Sequence, residues 1–525
     1  MKKNKIATWP RAWAAAGLGC LSLLGCAAIA QPESISGMGG LSASDWAVLE
    51  RSSFGATHAD AKRMASMGRS AWIEGQLSMV GDACLPALAK ERIVALDYHS
   101  YDPIATVRKE RQEAREAKEL GGKESAQMVA RKYRQEPVEE AFERRSLRAL
   151  YCTHPLQERM ADFWFNHFNV YARKGQVAVM LPDYEERAIR PFVFGNFEDM
   201  LFATLTHPAM LQYLDNAQNV KGRINENYAR ELMELHTMGA RGGYVQKDVQ
   251  ELARILTGVG QQAAEPARRA QPPGMLALPN GFAFDPSKHD DGAKVFLGAD
   301  YPAGGGFAEV RRALRQLARH PATARALSLR MAQYFVSDEP PKVLVDDMAR
   351  AYAASGGSLA AMSRTMARSA QFADPRLSKF KAPQEWVYAA MRVQYAEDMV
   401  VNMRPMQKWM ADLGQPTYMK LTPDGYASAA SEWASADQLG KRFDIAKQMV
   451  NGAGALFAPK GGAAAAPATA EERAAAGRLH PSDASALWAM SWRYSSPGLT
   501  EALTAARGDK EARALVLASP EFMKR

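Results

Sequence analysis

The residues best suited to chemistry lie between Asn225 and Gly260, in NENYARELMELHTMGARGGYVQKDVQELARILTGVG. Asn225 suits a helix N-cap, Glu226 the positive end of the helix dipole, and Gly239 a helix stop. At about 100° per residue, Glu226, Asn227, Arg230, Glu231 and Glu234 share one arc, while Tyr228, Leu232 and Leu235 share the other. Glu231 and Glu234, three apart, then offer two carboxylates to a divalent metal ion or to a reacting group as general base. Asn227 and Arg230 stand beside them as binding groups. His236 falls on the apolar side by the same count, so a regular helix cannot bring it and the two glutamates to one metal. The plainer alternative is an amphipathic helix whose acidic face is wet.

Two histidines elsewhere would complete such a site. His167, in FWFNHFN, is in line with Met160, Phe163, Trp164 and Tyr171, a stripe in which an imidazole is more often a hydrogen-bonded core residue than a base. His289 sits beside Asp290 and Asp291 in KHDDG, where carboxylates orient imidazoles and attract cations, although a turn role fits equally. The candidate set is therefore Glu231, Glu234 and His167 as catalytic groups, with Asn227, Arg230, His289 and Asp290 binding. Common signatures are missing: there is no GxSxG elbow, HExxH, phosphate-binding GxxxxGK[ST] or EF-hand loop. Residues 258–263, GVGQQA, follow a helix rather than a strand, which argues against dinucleotide binding.

The elements that must position these groups are helical. Apolar residues recur three and four apart in most windows, and alternating strand patterns are scarce. Helices are expected over 44–49, 59–77, 156–171, 196–205, 226–238, 246–256, 308–319, 322–335, 342–353, 359–371, 383–396 and 511–518. Residues 107–148 are dense in both signs of charge around a Gly121-Gly122 break and read as a solvated helical hairpin inserted in the domain. Residues 261–280 and 457–477 are rich in Ala, Pro and Gly and read as loops. The expected fold is mainly α, a large multi-helix globular domain with long loops and little sheet.

Residues 1–30 pair a basic start with a short apolar run, AWAAAGLGCLSLL, and a small-residue end, the layout of a secretory signal. Cleavage after Ala30 competes with acylation of Cys26 in LLGC, so the expected location is periplasmic, outer-membrane lipoprotein or secreted. The net charge of +9 contains Lys2, Lys3, Lys5 and Arg11; without them 62 basic residues face 57 acidic ones, a modest +5. Basic residues are interleaved with acids along the chain, so nucleic acid is not an expected partner. No later apolar run is long enough for a transmembrane span. Cys84 and Cys152 then remain; the expectation is two separate buried thiols, although an oxidising compartment would let them pair.

Several landmarks run in order along nearly the whole chain: LERSSFGATHADAKRMASMGRSAWIEGQLS (49–78), MADFWFNHFNV (160–170), LTHPAMLQYLDNAQN (205–219), the 225–258 segment, FDPSKHDDGAKVFLG (284–298), HPATA (320–324), LGQPTYMKLTPDGY (413–426) and LASPEF (517–522). In these the chain resembles the bacterial family known as domain of unknown function 1800. The resemblance implies one helical domain from about residue 45 to the C-terminus, after a flexible segment at 31–44, in an exported protein. It also suggests a task shared with exported phosphatase- or sulfatase-like proteins. Two positions depart from the family pattern: Val245 replaces a threonine able to cap the next helix, and Asp424-Gly425-Tyr426 stands where a Gly-Trp pair is common. The favoured function is a metal-assisted, hydrolase-type enzyme acting on extracellular or envelope material. The alternative is a non-catalytic partner or assembly protein for another exported protein.

Overall fold

Helices form where the apolar spacing and the start signals coincide. Ser42 and Thr57 each close a capping box, with Asp45 and Asp60, at the start of helices Ala43–Ser52 and His58–Met67. In the two His-Pro sequences the imidazole itself is the cap: His207 and His320 accept from the backbone N–H of Ala209 and Ala322, and proline takes the first helical position. The computed structural model describes residues 41–78, 80–262, 273–395, 398–451, 455–458 and 496–525. The leader with Cys26, and most of the low-complexity stretch, lie outside them.

The fold is mainly α, as expected. The expected helix over 59–77 divides at Gly68 into His58–Met67 and Arg69–Gln76. Helices Ala87–Val94, Val177–Tyr184, Pro208–Tyr213, Arg404–Asp412, Ala436–Val450 and Pro497–Ala505 lie outside the expected set. Among the described residues, sheet is confined to an antiparallel trio and a hairpin. Phe282–Phe284 lies between Val259–Gln261 and Leu276–Ala277 in the trio, and Lys294–Phe296 pairs with Ala299–Tyr301 in the hairpin. One continuous apolar core runs from Val48 to Met523. Among the described residues no helix is long and apolar enough to cross a membrane.

The charged segment is a hairpin of two helices within Pro103–Tyr151, turning where Gly122 adopts a φ of 74°. Its arms are antiparallel, since Tyr133 feels the charges of Glu113 and Glu110 while Glu110 feels that of Arg134. The tip is solvated, but the root is not: residues 141–150 are all buried. Arg145 and Arg148 reach Asp162 and Asp82, each at 2.6 Å, and Arg148 also pairs with Glu186. Burial alone would raise Glu186, but Arg148, Arg144 and Arg190 together hold it well below its ordinary value. Helix periodicity cannot separate such a buried ionic face from a wet one, because both consist of Arg and Glu.

The cysteines correct another expectation. Cys84 and Cys152 form a disulfide, with Cα atoms 4.9 Å apart. The turn Gly81–Cys84 packs against the end of the hairpin, where Thr153 donates to the Cys84 carbonyl at 3.0 Å. No spacing rule reveals an approach made across 68 residues.

Candidate functional site

The central segment begins as an α-helix, Asn227–Glu231, and continues as a π-helical turn, Leu232–His236, rather than as the regular helix expected over 226–238. Asn225 Oδ1 accepts from the Asn227 N–H at 3.0 Å at the start. At the far end Gly239, with a φ of 80°, donates back to the Met233 carbonyl. A π turn widens the helix by one residue and re-aims the side chains around it.

The expected polar arc therefore divides. Arg230, Glu226 and Gln246 form a rim network, with Arg230 bonded to Glu226 at 3.1 Å and to Gln246 at 2.8 Å. Asn227 turns to the Leu214 carbonyl at 3.1 Å. Glu231 and Glu234 are half-buried and have neither an ion pair nor a hydrogen bond among the described residues. Burial, then the charge of Glu234, and to a lesser degree that of Asp424, raise the Glu231 pKa; Arg230 only partly opposes them. Tyr244 and Tyr213 feel these charges: burial and Glu234 raise the Tyr244 pKa, and burial, with Asp424 and Glu231 and against a hydrogen bond from Asn169, raises that of Tyr213.

Within electrostatic reach of Glu231 runs a loop held by two asparagines that flank His167. Asn169 donates to the carbonyls of Lys420 and Thr422 at 3.1 and 2.9 Å. Asn166 accepts from the Tyr426 N–H at 2.7 Å and donates to its carbonyl at 2.9 Å. Tyr213 donates to the Leu421 carbonyl, and Arg330 joins the loop to the π turn by donating to the carbonyls of Asp424 and Leu235. Between them, Gly425 has a φ of 74°, and a Cβ there would lie 2.2 Å from the Asn166 carbonyl oxygen. These bonds keep Asp424 close enough for its charge to be felt at Glu231.

His167 lies in the core beside the π turn. Its Nε2 is 3.0 Å from the His236 carbonyl, so that nitrogen carries the proton, and Phe163, Trp164 and Phe168 surround the ring. Burial, then Arg330 and His236, push its pKa well below the ordinary histidine value; burial pushes His236 down to about 3. His167 thus bonds to the backbone that carries Glu234 and to neither carboxylate. His289 and Asp290 belong to a different cluster. His289 contacts the Thr257 carbonyl at 2.8 Å and Glu309 at 2.9 Å, and Glu309 also takes Lys294 at 2.6 Å. Asp290 is gripped by Arg254, which lowers its pKa to about 2.

Chemically, the arrangement offers one carboxyl whose pKa is raised, a second carboxylate three residues on and two tyrosine phenols within reach of their charges. That is the equipment of general acid and base work. A divalent ion on Glu231 and Glu234 would need further ligands. Among the described residues the one group of three His, Cys, Asp or Glu ligand atoms within 4.8 Å of one another is Cys84, Cys152 and Glu158, and its cysteines are already joined. Asp424, Tyr213, Tyr244, Arg330 and the two clamping asparagines are absent from the sequence-derived set, although most lie inside the landmark segments.

Residues 47–524 match the model of a family described as Protein of unknown function (DUF1800), and the chain belongs to that family. No curated protein and no solved structure matches it.

Proposed function

We propose that this member of the DUF1800 family is an exported, hydrolase-type enzyme, with Glu231 as general acid and base and Glu234 as its charged partner. The observation that carries the reading is Glu231 itself: a half-buried carboxyl with no ion pair among the described residues, its proton held more tightly by burial and by Glu234. Asn227, the rim arginine Arg230 and Asp424 are the groups available to orient a substrate. A divalent ion on Glu231 and Glu234 would polarise the scissile group and share the charge of the two carboxylates. His167 is a positioning residue, since its bond to the His236 carbonyl supports the turn on which Glu234 stands. The Cys84–Cys152 disulfide favours an oxidising compartment outside the cytoplasm, in agreement with the leader-like N-terminus.

The test is hydrolysis of a panel of chromogenic phosphate, sulfate, carboxylate and glycoside esters, with and without manganese or zinc. Glu231→Gln and Glu234→Gln are each expected to reduce turnover at least a hundredfold while the fold is retained. Turnover unchanged in the double variant would sink the catalytic assignment. Stable co-purification of that variant with an exported phosphatase- or sulfatase-like protein would then favour the partner role.

A further inference from the structure

A second polar space shares no residue with the carboxylate pair. It is a cavity of about 40 Å³, and Asn166 and Tyr426, the residues that clamp the loop, form one side of it. A space of that size holds roughly three water molecules or a group of similar size. Its other polar walls are Asp162, which is paired with Arg145, together with Tyr334, Lys379, Gln384, Glu385, Gln415 and Arg525. The last five are each more than nine-tenths buried, which is costly for polar groups that have nothing to bind.

Three of these groups have hydrogen-bonding capacity to spare. Gln415 Oε1 accepts from the Gln384 backbone N–H at 2.8 Å, so the Gln415 amide nitrogen is left over. Gln384 Nε2 donates to Thr417 at 2.7 Å, so the Gln384 side-chain carbonyl is left over. Lys379 Nζ bonds to Asp338 and to the Ser428 carbonyl, which leaves one ammonium proton. The charge balance also leans one way. Glu385 serves both Arg159, at 2.9 Å, and Arg525, while the Asp162 carboxylate is taken up by Arg145 and by the Tyr334 hydroxyl. Burial, with repulsion from Arg159, lowers the Arg525 pKa to about 10.

We propose that this cavity binds the carboxylate of a small organic acid, received by the Gln415 amide and the spare Lys379 proton. The Gln384 carbonyl accepts from a hydroxyl or ammonium group on the neighbouring carbon. The ligand class is thus a 2-hydroxy or 2-amino acid, or the equivalent end of a larger molecule. Sulfate and chloride lack the group that Gln384 would read.

The test titrates the full chain with lactate, propionate, sulfate and chloride at matched ionic strength, followed by thermal shift and calorimetry. Lactate should give a saturable rise in melting temperature, and propionate, which lacks only the hydroxyl, should bind at least tenfold more weakly. Gln415→Leu should weaken lactate at least tenfold, and Gln384→Leu should reduce it to the propionate level. No response to lactate beyond that to chloride overturns the proposal, as does a sulfate response equal to that of lactate or undiminished binding by Gln415→Leu. Should either variant misfold by circular dichroism, saturation-transfer NMR of lactate on the unmodified chain decides, and absent transfer counts against the site.

Discussion

Glu231 behaves differently in the folded and unfolded chain, and the difference has a sign. Its folded pKa lies above the ordinary 4.5, so the folded state binds the proton more tightly. The stability tied to that proton is present at low pH and is lost as pH rises through the folded value. Glu231→Gln, which removes a charge that burial and Glu234 disfavour, should therefore raise the melting temperature at pH 7. The gain is small, a few tenths of a kcal/mol, because the group is partly exposed, and it should vanish below about pH 4. Melting curves of both proteins across pH 4 to 8 check this; a variant less stable at pH 7 would contradict it. Higher stability with lost turnover is the mark of a residue kept for function. The Glu231/Glu234 pair and the core setting of His167 were legible from periodicity. Asp424 was not, because a contact across almost two hundred residues leaves no local pattern. The pairing of Asp290 with Arg254 is equally hidden, because the two lie 36 residues apart.

At the scale of elements, sequence patterns located most of the amphipathic helices, though not Arg404–Asp412 or Ala436–Val450, and they had no purchase on two other kinds. Val177–Tyr184 is buried along its whole length, so it has no polar face to create a 3.6-residue stripe. Pro208–Tyr213 is too short to show one. The π turn was invisible too, since it keeps helical spacing on either side while adding a residue within. The 420–426 loop depends on Gly425 twice, for its left-handed backbone and for its closeness to Asn166. Gly425→Ala should therefore cost about 1–3 kcal/mol or more, since strain and a backbone collision act together. Urea denaturation measures that cost. If the loop carries Asp424 into the site as argued, turnover should fall further than the lost stability explains. At Val245, the backbone N–H donates to Asp248 but the valine side chain cannot return the bond, so the Asp248 N–H goes to the Val245 carbonyl instead. Helix Gln246–Ile255 forms with half its capping box.

For the molecule as a whole, the helical class was readable from composition and spacing, whereas the ionic centre and the disulfide were not. Both depend on which segments meet. The disulfide closes a loop of 68 residues, for which the chain-entropy model gives about 4 kcal/mol. Chemical denaturation with and without reductant should show a loss of that order, and equal midpoints would show that the bond adds nothing. The same closure surrounds the protruding hairpin: Cys84 precedes its first arm, and Cys152 follows its second. A protease that severed the exposed Gly121-Gly122 elbow would therefore free no fragment. The two halves would stay covalently joined at the base, each still rooted in the body, so the arms are a place where this chain can be nicked, tagged or lengthened without coming apart.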